Sequence, residues 1–183
     1  PHGGLDEAGC AAAVPSAVGA AYLNAGQTCS ALTRLLVPAD RMDEAAELAA
    51  AAAAGYTVGP ADADGTTLGP LVSQAQWDRV QGYIQKGIDE GATLVTGGTG
   101  KPDGLGAGYY VKPTIFADVD NSMTIAQEEI FGPVLTVFKA NDLAEAIEIS
   151  NSVKFGLSSS VYTRDLTKAF EYVNTVETGM VHI

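Results

Sequence analysis

Asn24-Ala25-Gly26-Gln27-Thr28-Cys29 is the stretch on which the reading of this chain turns. It follows an apolar, alanine-rich run, Cys10 to Leu23. It precedes Arg34-Leu35-Leu36-Val37, a short β-type run closed by Pro38. A helix, a glycine stop, a polar loop and a buried strand make one step of an α/β alternation. The loop carries a thiol, and a loop on a rigid scaffold is a common place to expose a nucleophile. A buried structural cysteine is the plainer reading of a lone thiol, because Cys packs as a small hydrophobe. Polar Gln27 and Thr28, beside Gly26, favour the loop. Far downstream, Gln127-Glu128-Glu129-Ile130-Phe131-Gly132-Pro133 sets two carboxylates and an aromatic just ahead of another strand. Adjacent glutamates usually solvate a turn, but a carboxylate at the mouth of a parallel sheet can accept hydrogen bonds from ribose hydroxyls.

Working outward, residues 5 to 13 are expected to form a short helix. Pro15 fits the first turn of a second helix that reaches Asn24. Asp40 is placed to cap an alanine-rich helix ending at Gly55. Residues 56 to 71 form a long loop. Ser73-Gln74-Ala75-Gln76 reads as a capping box. The helix it starts carries Trp77, Val80, Ile84 and Ile88 on one face and stops at Gly91. Strands are expected at 93–96, 109–117, 133–139, 158–162 and 180–183. Helices are expected from Asp142 to Ser150 and from Asp165 to Asn174, the second with Leu166, Ala169, Phe170 and Val173 on one stripe. The alternation argues for an α/β layer structure with a mainly parallel sheet. The glycine-rich segment 97–108 matches neither phosphate-binding motif and reads as a turn, since Pro102 stands where a Walker loop needs Ser or Thr and Tyr109 where the dinucleotide fingerprint needs Gly.

Bulk properties narrow the function. At 183 residues the chain is one domain, or a piece of a larger protein. A formal net charge of −12 argues against nucleic acid or an anionic membrane as the main partner. Cys10 and Cys29 make no disulfide framework, so a reducing, cytoplasmic compartment is expected. Neither a secretory signal nor a run long enough to span a membrane is expected. Cys10 sits in an apolar helix and reads as core. His2 and His182 are the only histidines, which leaves a Cys–His dyad and a metal site without support. The chain opens in helical material and stops in a strand, which suggests an excised segment.

Together the two stretches resemble the NAD(P)-dependent aldehyde dehydrogenase superfamily. Further matches fall in order: Leu68-Gly69-Pro70-Leu71-Val72-Ser73, Gly82-Tyr83-Ile84, Gly108-Tyr109-Tyr110-Val111-Lys112-Pro113-Thr114-Ile115-Phe116, Phe155-Gly156-Leu157-Ser158 and Thr178-Gly179-Met180-Val181. The resemblance implies a three-layer α/β/α catalytic domain. It implies that Cys29 is the nucleophile, attacking an aldehyde to give a thiohemiacetal, then a thioester after hydride transfer, which water hydrolyses to the acid. It makes the Cys29 N–H an oxyanion donor. Glu129 matches the carboxylate that holds the nicotinamide ribose, and Phe131 the aromatic against that end of the cofactor. Gln76 and Arg79 occupy positions that touch this ribose in some relatives, usually with Lys where Arg79 stands.

The departures are equally specific. The family's Glu-Leu-Gly-Gly base motif, its side-chain oxyanion donor, its dinucleotide-binding fold and its oligomerisation strand are not in these 183 residues. The expectation is a catalytic domain incomplete at both ends, binding NAD or NADP weakly by itself and working inside a homo-oligomeric enzyme. A non-catalytic module on the same scaffold and a different thiol enzyme, such as an acyltransferase or hydrolase, are the competing readings.

Overall fold

Four strands join in the order β1–β4–β3–β2 in a computed structural model that describes residues 7–183. They are β1 (Arg34–Pro38), β2 (Thr93–Thr96), β3 (Thr114–Ala117) and β4 (Val134–Ala140). β1, β4 and β3 run parallel, and β2 is antiparallel on the β3 edge. Two further strands, β5 (Ser158–Ser160) and β6 (Met180–His182), form a separate parallel pair. The mainly parallel α/β architecture expected from the sequence is present. Every residue of β3 is buried, and all of β4 except Lys139. Side chains alternate between the two faces of a strand, so burial of both sets means both faces are covered.

Among the described residues six α-helices flank the strands: α1 (Glu7–Tyr22), α2 (Met42–Ala54), α3 (Gln74–Asp89), α4 (Thr124–Gln127), α5 (Leu143–Asn151) and α6 (Leu166–Thr175). α1 and α2 pack on each other and on the sheet, while α5 packs on β4 and α6. The core centres on Ile115, Phe116, Val134, Leu135, Val137 and Phe138, with Val18, Ala21 and Tyr22 of α1 and Val80 and Ile84 of α3 around them. Tyr22 ties α1 to the sheet: its hydroxyl donates to the Thr114 carbonyl at 3.0 Å, and burial pushes its titration far above the usual phenol range.

Several local expectations are corrected. The two helices expected around Pro15 are one, Glu7–Tyr22, with Pro15 inside it; residues 5 and 6 lie outside the described ones. Burial of Val14, Ala17, Val18 and Ala21 holds the helix across a residue that cannot donate. Asp40 does not cap α2: it sits in a 3-10 turn, Ala39–Arg41, and Arg41 precedes the helix without a side-chain cap. The strand expected over 109–117 shrinks to Thr114–Ala117. Tyr110 and Val111 are buried there without pairing, and Pro113 has no N–H to give a ladder. On α6 the buried pair is Ala169 and Tyr172, while Leu166, Phe170 and Val173 of the expected stripe are exposed.

Candidate active site

α1 ends in an abrupt left-handed turn. Asn24, Ala25 and Gly26 have φ of 53°, 55° and 72° in succession. Two of these are L-residues in a region that disfavours them, so local bonds must hold the turn. Gln27 N donates to Asn24 O at 3.1 Å, and Asn24 Nδ2 donates to Gln27 O at 3.1 Å. Thr28 Oγ1 reaches back to Leu23 O at 3.2 Å. Gln27 also fixes the loop from outside: its Oε1 accepts the Val72 N–H at 2.9 Å, ending the long loop 56–71 beside the thiol. Cys29 follows in a turn closed by Ala31 N to Thr28 O at 3.0 Å, and its side chain is exposed. Among the described residues no acceptor engages the Cys29 N–H.

The second stretch begins at α4, whose first turn is capped from α3. Thr124 N and Oγ1 each donate to the Glu90 carboxylate at 2.7 Å. These bonds, the hydroxyl's foremost, hold Glu90 below the ordinary carboxylate range. Beyond α4 the two glutamates differ. Glu128 is paired with Lys154 at 2.8 Å, whereas the Glu129 side chain is exposed and unpaired among the described residues. Phe131 has φ 59°, a left-handed aromatic, and Gly132 then leads into β4.

Glycine joins the two stretches. A Cβ on Gly26 would fall inside the Gly132 carbonyl and 2.9 Å from Pro133 N, so the thiol loop lies backbone to backbone on the carboxylate loop. A Cβ on Gly132 would lie 2.7 Å from Val80 Cγ2, so the carboxylate loop is seated in turn on α3. Thr28, Cys29, Glu129 and Phe131 consequently line one cavity of about 470 Å³. Its walls include β1 on one side and β5 on the other, two strand edges that do not pair with each other. A thiol, an unengaged carboxylate and an aromatic facing one largely apolar cavity are a set that fits the ribose end of a nicotinamide dinucleotide. The carboxylate can accept ribose hydroxyls, and the ring can lie against the nicotinamide. Cys10 also lines the cavity but is only 7% exposed. Among the described residues no group of His, Cys, Asp and Glu could hold a metal ion.

Gln76 and Arg79 are placed differently. Neither lines the cavity. Both point from α3 at the backbone of the carboxylate loop: Gln76 Nε2 donates to Ile130 O at 3.2 Å and Phe131 O at 2.9 Å, and Arg79 Nη2 donates to Glu129 O at 2.7 Å. The capping box at Ser73 is half made. Ser73 Oγ accepts the Gln76 N–H at 3.2 Å, while the Gln76 side chain goes to the loop instead of back to Ser73. Sequence reasoning passed over Gln27 as a tether and Glu90 and Lys154 as supports. Each acts across a long sequence separation, and no local pattern marks it.

Comparison with known proteins gives one consistent set. A family model described as the aldehyde dehydrogenase family matches residues 4–183. A putative aldehyde dehydrogenase of Staphylococcus saprophyticus is 46% identical over 179 residues, 98% of this chain and 38% of that protein. One from Staphylococcus aureus is 45% identical over 183 residues, 100% and 38% respectively. Among solved structures, a mutant of aldehyde dehydrogenase C from Pseudomonas syringae in complex with NAD+ and octanal superposes with a TM-score of 0.93. It is 44% identical, and the match covers 94% of this chain and 36% of that one. A Mycobacterium tuberculosis aldehyde dehydrogenase complexed with NAD+ gives a TM-score of 0.92 at 44% identity, covering 98% of this chain and 36% of that one. The chain thus spans 38% of the length of the curated relatives named here.

Proposed function

The chain belongs to the aldehyde dehydrogenase family, and from that premise we propose that it is the thiol-bearing part of the catalytic domain of an NAD(P)-dependent enzyme that oxidises a small-molecule aldehyde to a carboxylic acid. The observation that carries this reading is the backbone contact of Gly26 with Gly132, which sets Cys29, Glu129 and Phe131 around one cavity. The thiolate of Cys29 adds to the aldehyde carbonyl, and the carbonyl oxygen takes the charge. The N–H of Cys29, which no acceptor among the described residues engages, donates to that oxygen in this reading. A bound dinucleotide supplies the acceptor for the hydride that leaves this adduct, so a thioester remains on Cys29. Water cleaves the thioester, releasing the acid and the thiol. Glu129 accepts hydrogen bonds from the ribose hydroxyls and Phe131 packs against the nicotinamide, while Gln76 and Arg79 hold the carbonyls of that loop from α3. The NAD+ held by the Pseudomonas and Mycobacterium relatives favours NAD over NADP.

Residues 1–183 are proposed as an incomplete catalytic domain. The general base, the side-chain oxyanion donor, the dinucleotide-binding fold and the oligomerisation segment would come from the rest of a homo-oligomeric parent. The coverage of 38% supports this, as do the two strand edges facing one cavity. The isolated chain would then bind cofactor weakly and turn over little. Cys29 is a free thiol, consistent with a cytoplasmic protein; no helix among the described residues is long and apolar enough to cross a membrane. The test is Cys29→Ala in the full-length enzyme. Aldehyde oxidation should fall by more than about 1,000-fold while NAD+ affinity changes little. Oxidation at near wild-type rate would refute the assignment.

A further inference from the structure

Phe131 is the most constrained residue of the carboxylate loop, and its conformation is held from behind. An aromatic L-residue at φ 59° occupies a sparsely populated region and persists only where its surroundings over-determine it. The bonds that do so come from one face of α3. Arg79 and Val80 each stand one helical turn on from Gln76, and the three meet neighbouring parts of the loop. Arg79 holds the Glu129 carbonyl, Gln76 the Ile130 and Phe131 carbonyls, and Val80 fills the space that Gly132 leaves. Carbonyls of residues flanking a left-handed turn cannot all be met by a regular ladder, so side-chain donors are required. Gln76 donates to two of them with a single amide. Neither Gln76 nor Arg79 lines the cavity that holds Cys29, Glu129 and Phe131.

We propose that Gln76 is a positioning residue for hydride transfer, acting through the Ile130 and Phe131 carbonyls as a donor to set the Phe131 ring against the nicotinamide, and that Arg79 does the same for Glu129. This rests on the cofactor role of Glu129 and Phe131 proposed above. It differs from a direct ligand contact in one chemical respect. A glutamine that touches ribose can serve as an acceptor, and a carboxylate would replace it well. A glutamine that touches two carbonyls must be a donor, and a carboxylate there at neutral pH would repel them.

The experiment measures single-turnover hydride transfer per titrated Cys29 thiol in the full-length enzyme, with NAD+ affinity measured separately. The variants are Gln76→Met, Gln76→Glu and Gln76→Lys. Titrating thiol on the folded fraction recovered by gel filtration removes any loss of folded protein, which is all that a merely structural role would produce. Met and Glu should each lower the rate at least about 10-fold, since a misplacement near 1 Å can cost about 100-fold. NAD+ affinity should stay within about three-fold. Lys, a donor of similar reach, should keep most of the rate. Retention by Glu with loss in Lys would show that Gln76 is an acceptor and overturn the proposal, as would unchanged rates in all three. Glu129→Gln and Phe131→Ala run in parallel. If they slow transfer and the Gln76 variants do not, the positioning role alone fails. If they too leave it unchanged, the cofactor reading fails and takes this inference with it.

Discussion

At Gly26 a side chain would collide with the Gly132 carbonyl, on a backbone whose φ is 72°. Neither partner can step aside, because Gly132 is itself pressed on Val80. Gly26→Ala should therefore destabilise the protein by about 3 kcal/mol, combining overpacking with a left-handed L-residue. Urea unfolding measures this, and an unchanged midpoint would mean that the two loops are not in contact. Gly26 was legible in the sequence as a helix stop, yet its larger role was not. The left-handed turn begins two residues earlier, at Asn24, and what demands a glycine is a backbone a hundred residues away. Cys29 was legible as a loop thiol, and its exposed side chain agrees; its chemistry entered through resemblance, because no neighbour in sequence marks a base. Gln76 was read as half of a capping box, and the half that fails is the part now assigned to Phe131.

Among the elements, α1 carries an evident fault. Pro15 lies exposed in its interior, removes one helical hydrogen bond and opposes the preceding turn. Pro15→Ala should stabilise the protein by about 2 kcal/mol, the helix gain less what proline saves in the unfolded chain. A raised urea midpoint would confirm it, and a lowered one would mean that Pro15 is needed for packing. Periodicity made the strands and helices visible, but it overran strand ends where Pro113 or an unpaired edge stopped the ladder. α4 has only four residues and depends on its cap. Glu90 is held below its ordinary value of 4.5 by the Thr124 bonds. Its folded-state pKa is depressed, so its contribution is present above the unfolded value and is lost as pH falls through the folded one. Between about pH 5 and about pH 3 the wild-type unfolding midpoint should drop more steeply than that of Glu90→Gln. Equal slopes would show that the cap contributes no charge-dependent stability.

For the molecule as a whole, the mainly parallel order was legible because β1, β3 and β4 are apolar runs separated by helices. The partition into two sheets was not, since no local pattern says which edges pair. The open edges of β1 and β5 wall the same cavity as Cys29, which links the state of the fold to the state of the site. The formal net charge of −12 argues against nucleic acid as the main partner. Cys29 is proposed to carry the substrate covalently. The direct test is to mix the full-length enzyme with NAD+ and an aldehyde that it oxidises, quench in acid within a turnover, and map peptides by mass. The acyl thioester of that aldehyde is expected on the peptide containing Cys29, absent without NAD+. Turnover with no acyl adduct there, or with the acyl group on another residue, would contradict it.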